Sequence, residues 1–206
     1  MMSKSLFRCV TCLFPLLLLA GPSLAIELAQ RAQIAEEKAQ VLEQEASAEG
    51  SGRPPEPAEL ITRPGAQAVD PAGQAPLDDA ITCLARSIYW EARGEDTIDM
   101  EAVANVVMNR LGHEGFPDTV CEVVKEGSER GNCQFSWWCD GRPDEAQEED
   151  AYVIAKEIAR KALNQQLQDH TDGGQFFHHR NVTPNWASKF TRTFQTDELV
   201  FYREDS

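Results

Sequence analysis

The amino-acid sequence predicts an α+β domain, mostly helical with short strands, that follows a non-globular leader. Three observations carry this prediction. Apolar residues recur at three- and four-residue intervals over 81–91, 103–111 and 153–162, the period of a helix with one buried face. The runs Gln175–His178 and Leu199–Tyr202 are short and rich in aromatic or apolar residues, and the first follows the turn pair Gly173-Gly174, which suits strands. Capping residues precede the helical stretches and glycines follow them, where helices start and stop.

The elements are taken in chain order. Residues 1–25 read as a secretory signal, with Lys4 and Arg8 at the basic start, an apolar core from Leu13 to Ala20, and Ser23-Leu24-Ala25 at the cleavage site. The apolar core is short for a membrane span, which needs about 20 residues. Residues 26–46, rich in Ala, Glu and Gln, carry only a broken apolar stripe at Ile26, Ala29, Ile34, Val41 and Leu42. A short, solvated helix is expected there, with a weak coiled coil or an envelope-protein partner as the alternative. Residues 47–77 hold Pro54, Pro55, Pro57, Pro64, Pro71 and Pro76 and few large apolar residues, so a flexible linker is expected.

The compact domain is expected over 78–206. Asp78 or Asp79 caps a first helix that ends at Gly94, and Asp96 or Thr97 caps a second through Leu111. Thr119 and Glu122 form a capping-box pair for a third, which stops at Gly127. Pro143 and the acidic run Asp144–Asp150 are expected to open a long helix with the stripe Val153, Ile154, Ile158, Ala162. Thr183-Pro184 opens a short helix through Trp186.

The 206 residues carry 19 Lys plus Arg against 34 Asp plus Glu. Loss of 1–25 removes two basic residues and leaves a net charge of −17. That balance argues against nucleic acid and anionic membranes as partners. Cys83, Cys121, Cys133 and Cys139 survive signal removal, an even number in an exported chain, which suggests two disulfides. Three pairings are possible. Cys133 with Cys139 is favoured because Gly131, Asp140 and Gly141 flank them with turn formers, leaving Cys83 with Cys121. The spacings do not match a structural zinc site.

Glu91 is the residue that points to chemistry. Ile81, Leu84, Ile88 and Glu91 step by three, four and three residues, so a carboxylate continues a buried apolar stripe. Gly94 places it near the negative end of the helix dipole. Burial and dipole both oppose ionisation. A carboxylic acid that keeps its proton near neutral pH suits the general acid of glycoside cleavage. The bland alternative is a structural Glu paired with Arg86, Arg93 or Arg110.

The runs Glu91-Ala-Arg-Gly-Glu95, Ala102-Val-Ala-Asn-Val-Val-Met-Asn-Arg110 and Phe116-Pro-Asp-Thr-Val120 resemble the SleB/CwlJ cell wall hydrolase family, as do Cys133-Gln-Phe-Ser136, Asp140-Gly141, Gly173-Gly174 and Thr183-Pro-Asn-Trp186. The resemblance spans about residues 80–203. It implies a lysozyme-like, lytic transglycosylase-like catalytic domain and Glu91 as the catalytic residue. The implied partners are peptidoglycan glycan strands, and no cofactor is implied. With the signal and the four cysteines, it suggests the periplasm of a Gram-negative bacterium.

Sugars bind through aromatic faces and hydrogen bonds. Phe135, Trp137, Trp138 and Trp186 are candidates for the faces, and Gln134, Ser136 and Asn185 for the hydrogen bonds. Glu95 is the near candidate for a second carboxylate, alongside Asp96, although both can equally be the polar start of the next helix. His178 and His179 are adjacent on a strand and point to opposite faces, so they cannot bind one metal ion together. Of the two, His178 is assigned to the cleft.

Overall fold

The computed structural model describes residues 21–48, 53–131 and 133–204. Among the described residues are six α-helices: α1 (Gly21–Ser47), α2 (Arg63–Ala68), α3 (Ala80–Ala92), α4 (Thr97–Arg110), α5 (Val120–Lys125) and α6 (Glu149–Leu163). Three antiparallel strands follow, β1 (Phe176–His179), β2 (Thr191–Gln195) and β3 (Leu199–Arg203), in the spatial order β1-β3-β2. The architecture is the mostly helical α+β domain that the hydrophobic periods predict. The expected signal falls outside the described residues, except that Ser23–Ala25 lie in the exposed first turns of α1.

Helix α3 is the centre of the fold. Every residue from Ala80 to Tyr89 is buried, as expected of a helix enclosed on all sides. Helices α6, α4, α5 and α1 pack around it. The Asp79 carboxylate accepts the Thr82 N–H at 2.9 Å and caps it. A disulfide joins Cys83 of α3 to Cys121 of α5, with Cα atoms 5.3 Å apart. A second joins Cys133 to Cys139, with Cα atoms 6.0 Å apart.

The leader differs from expectation. Helix α1 is not a solvated helix, since Ala35, Ala39 and Leu42 are buried against the domain. Of the large residues in the expected stripe, Leu42 is buried with Ala35 and Ala39, whereas Ile26, Ile34 and Val41 are exposed. Its carboxyl end touches the turn after α4. Gly112 has φ +69°, and a Cβ there would stand 2.3 Å from the Ser47 carbonyl oxygen, so only glycine fits.

The segment expected as a flexible linker is ordered from Ile61 to Asp70. Ile61 is buried and exchanges two hydrogen bonds with the Asn164 amide, at 2.9 and 3.0 Å. Asp70 Oδ2 accepts from Arg86 Nη2 at 2.7 Å and from Tyr152 Oη at 2.7 Å. Lys156 Nζ donates to the carbonyls of Gln67, Val69 and Asp70. Polar side chains of α3 and α6 therefore hold a stretch that has little apolar surface of its own.

The same network corrects α6. The helix starts at Glu149 rather than at Pro143. Residues 144–148 are held extended, because Arg86 Nη1 and Trp90 Nε1 donate to the Asp144 carbonyl and the Tyr89 hydroxyl accepts from the N–H groups of Gln147 and Glu148. Val153 and Ile154 are exposed, and the buried face runs through Tyr152, Ala155, Lys156 and Ala159.

Candidate active site

Ile81, Leu84 and Ile88 are fully buried. Glu91, one turn further along the same face of α3, is half-buried. The helix ends at Ala92, and Gly94 turns the chain away with φ +86°, a conformation that favours glycine. The three arginines that could have paired with Glu91 are engaged elsewhere. Arg86 binds Asp70 at 2.7 Å, Arg93 binds Glu148 at 2.6 Å, and Arg110 stands 3.9 Å from Glu126. Burial pushes the Glu91 carboxyl up to about 7, against the pull of the Arg110 charge. The group is thus poised between acid and carboxylate at neutral pH.

A groove of about 540 Å³ opens beside the end of α4. It is lined by Arg110, Cys133, Gln134, Phe176, Phe177, His178, Pro184, Trp186 and Phe190. Phe176 stacks on Phe190 with centroids 4.5 Å apart. Trp186 packs edge-on against His178 and Tyr202, each at 5.6 Å. His178 Nε2 lies 3.1 Å from the Tyr202 hydroxyl. No carboxylate lines this groove. Glu91 is not in its lining either; Arg110 links the two, lining the groove and acting on Glu91. A larger cavity, about 700 Å³, lies by Asn109, His113, Glu114 and Arg203. It lacks the aromatic faces and any residue that acts on Glu91.

Gln134, His178 and Trp186 are brought together in the groove. Two aromatic candidates are not available to a ligand. Phe135 is fully buried and Trp137 is 5% exposed, because the 133–139 loop folds its alternate rings inward against the core. Trp138 is half-buried beneath the Lys125 ammonium, 5.3 Å from its ring centroid. Ser136 and Asn185 are exposed outside the groove lining. Glu95 is exposed beyond the end of α3 and contributes only its N–H, to the Ala92 carbonyl.

Phe176, Phe190 and Tyr202 were not singled out by sequence reasoning. Their signal is the strand alternation that puts Phe176 and His178 on one face, with Tyr202 paired opposite Phe176. Arg110 carried a readable signal of its own, a basic residue in the last turn of the second predicted helix.

A family model for cell wall hydrolases matches residues 94–202, which begins just past Glu91. The chain is 34% identical over 119 residues to a spore cortex-lytic enzyme of Halalkalibacterium halodurans, covering 56% of this chain and 32% of that protein. It is 32% identical over 83 residues to a spore cortex-lytic enzyme of Bacillus cereus, covering 40% of this chain and 27% of the relative. A 46-residue stretch is 48% identical to a spore cortex-lytic enzyme of Oceanobacillus iheyensis. The chain therefore spans about a third or less of these relatives' length. No solved structure matches it. With the matched region covering more than half of its residues, the chain belongs to the cell wall hydrolase family.

Proposed function

We propose that this protein cleaves the glycan strand of peptidoglycan between N-acetylmuramic acid and N-acetylglucosamine, as a lytic transglycosylase with Glu91 as its single acid and base. The observation that carries the reading is a carboxyl held near pKa 7, without an ion pair, at the end of the central helix. Such a group can give its proton to the glycosidic oxygen. It becomes a carboxylate, takes a proton from the muramic acid 6-hydroxyl, and is regenerated as that oxygen closes on the anomeric carbon. The product is a 1,6-anhydro sugar.

Simple hydrolysis by either route requires a second carboxylate across the scissile bond. No carboxylate lines the aromatic groove, and Glu95 is exposed beyond the end of α3. That favours the transglycosylase route over a muramidase that uses water. Trp186 and the stacked pair Phe176–Phe190 offer apolar walls for sugar rings, and the exposed Gln134 amide offers hydrogen bonds, whereas both ring nitrogens of His178 are engaged by the His179 carbonyl and the Tyr202 hydroxyl. The names of the relatives support an envelope polymer as substrate. Two disulfides support export, and we place the mature chain in the periplasm.

The test is digestion of isolated sacculi followed by mass analysis of the fragments. Anhydro-muramic ends are expected. Reducing ends would replace the transglycosylase with a muramidase. Release of no fragment by the wild-type chain would leave a glycan-binding module in place of an enzyme.

A further inference from the structure

Between Asp172 and Asp197 the chain has no acidic residue, although it carries 34 of them among 206. This stretch holds the aromatic residues of the groove and three basic ones, Arg180, Lys189 and Arg192, all exposed. Exposed arginines elsewhere are neutralised. Arg31, Arg53, Arg142 and Arg203 stand 2.5, 3.1, 3.9 and 3.2 Å from a carboxylate oxygen. Among the described residues, none of the three forms an ion pair with a carboxylate. Arg180 is held instead by the Asp197 carbonyl, at 2.8 Å. Arg192 makes a long bond, 3.3 Å, to the Gln195 amide oxygen.

The sheet register places Arg192 on the groove. Directly opposed residues of an antiparallel pair share a face. Phe176, Tyr202 and Arg192 are opposed across β1, β3 and β2, so they form one row. Phe176 lines the groove and Tyr202 packs against Trp186. The neighbouring row, Phe177, Phe201 and Phe194, belongs to the opposite face, where Phe201 is fully buried. Phe190 leads into β2 with extended backbone, φ −120° and ψ 154°, so Arg192, two residues on, follows it to the same side. Phe190 itself is stacked on Phe176. Lys189 ends the short turn Ala187–Lys189, between the groove residues Trp186 and Phe190. One cation on the groove face of the sheet and another on the turn that carries Trp186 thus border the aromatic wall. In a chain with so large an excess of acid, they make a local positive edge.

We infer that Lys189 and Arg192 receive carboxylates carried by muramic acid when the glycan lies in the groove. Peptidoglycan offers this chemistry from two sources, the stem peptide and, where the peptide has been removed, the lactyl group itself. Aromatic walls do not tell a muramic strand from an uncharged polymer of N-acetylhexosamine, whereas cations do. The pair determines specificity and takes no part in breaking the bond. The inference rests on the proposed action on peptidoglycan, through the groove as the seat of the strand.

The experiment measures binding of soluble glycan strands to the full mature chain carrying Glu91→Gln, which keeps the strands intact. Three strands are compared: peptide-bearing, stripped of peptide by an amidase, and peptide-bearing with every carboxyl converted to a methylamide. The peptide-bearing or the stripped strand is expected to bind about fivefold more tightly than the amidated one, as two exposed charge contacts allow. That margin is expected to shrink as salt rises. Adding Lys189→Gln and Arg192→Gln is expected to bring it to about one, and adding Lys189→Arg and Arg192→Lys to keep it. Tight binding of the stripped strand assigns the carboxylate to the lactyl group, and weak binding assigns it to the peptide. A margin near one before those substitutions, or a full margin that survives both Gln changes, overturns the inference. Binding of no strand removes the groove as the seat of the glycan and the inference with it. If wild type releases no fragment from sacculi while the margin holds, the cleavage reading fails and the role of the two cations stands.

Discussion

Glu91 combines two costs that a structural residue would shed, burial and the lack of a paired cation. Replacing it with Gln keeps the shape and removes the proton. Cleavage of sacculi is expected to fall at least 10²-fold, within the range assigned to acid–base catalysis, while circular dichroism stays native. Stability should move the other way. The folded pKa is raised above its unfolded value of 4.5 to about 7. The penalty of an ionisable Glu91 is therefore absent below pH 4.5, grows between 4.5 and 7, and is complete above. Each tenfold change in that equilibrium is worth about 1.4 kcal/mol. Glu91→Gln is expected to unfold at higher denaturant than wild type at pH 8, by up to about 3 kcal/mol, and at the same denaturant near pH 4. An equal gain at both values would mean that the residue is not buried as an acid. Glu91 was legible in the sequence because a single helical period exposes a charge on an apolar stripe. Phe135 and Trp137 were misread because alternation alone does not say which face of a disulfide-closed loop is the core.

At the scale of elements, Asp70 ties residues 61–76 to α3 and α6. Burial acts to raise its pKa, but hydrogen bonds from the Ala75 N–H, Tyr152 and Arg86 outweigh it and hold the carboxyl below the usual range. Its stabilising contribution is present above the unfolded pKa and is lost as pH falls through the lower folded value. Asp70→Ala leaves Arg86 and Lys156 buried without their carboxylate and is expected to cost about 3–5 kcal/mol, measured by urea unfolding at pH 7. A loss under 1 kcal/mol would show that the segment is only draped on the surface. The sequence hid this network for a physical reason. Composition registers the scarcity of large apolar side chains, and a stretch held by another element's Arg, Tyr, Lys and Asn has no signature of its own. The same partners displaced the start of α6, whereas α3, α4 and α5, whose order comes from local caps and apolar periods, were read within a few residues of where they lie.

For the whole molecule, the two disulfides should separate stability from activity. Cys83–Cys121 closes 38 residues and joins two core helices. Replacing both cysteines with Ser is expected to cost about 3–4 kcal/mol on loop-entropy grounds. Cys133–Cys139 closes 6 residues and presents Cys133 at the groove. Its double Ser variant is expected to lose less stability than the other pair but a larger share of cleavage, through the loosened position of Gln134. Thermal unfolding and sacculus digestion on both variants test the contrast, and the reverse ranking would dissociate the loop from the groove.

The close approach of Gly112 to Ser47 has a mechanical side. Leu111 alone separates that glycine from Arg110, whose side chain lines the groove, and the helix that meets it leads back toward the amino terminus. A side chain in place of that glycine would have to push the end of α1 off the turn after α4, so the cost of Gly112→Ala would fall on the leader helix and on the catalytic domain together.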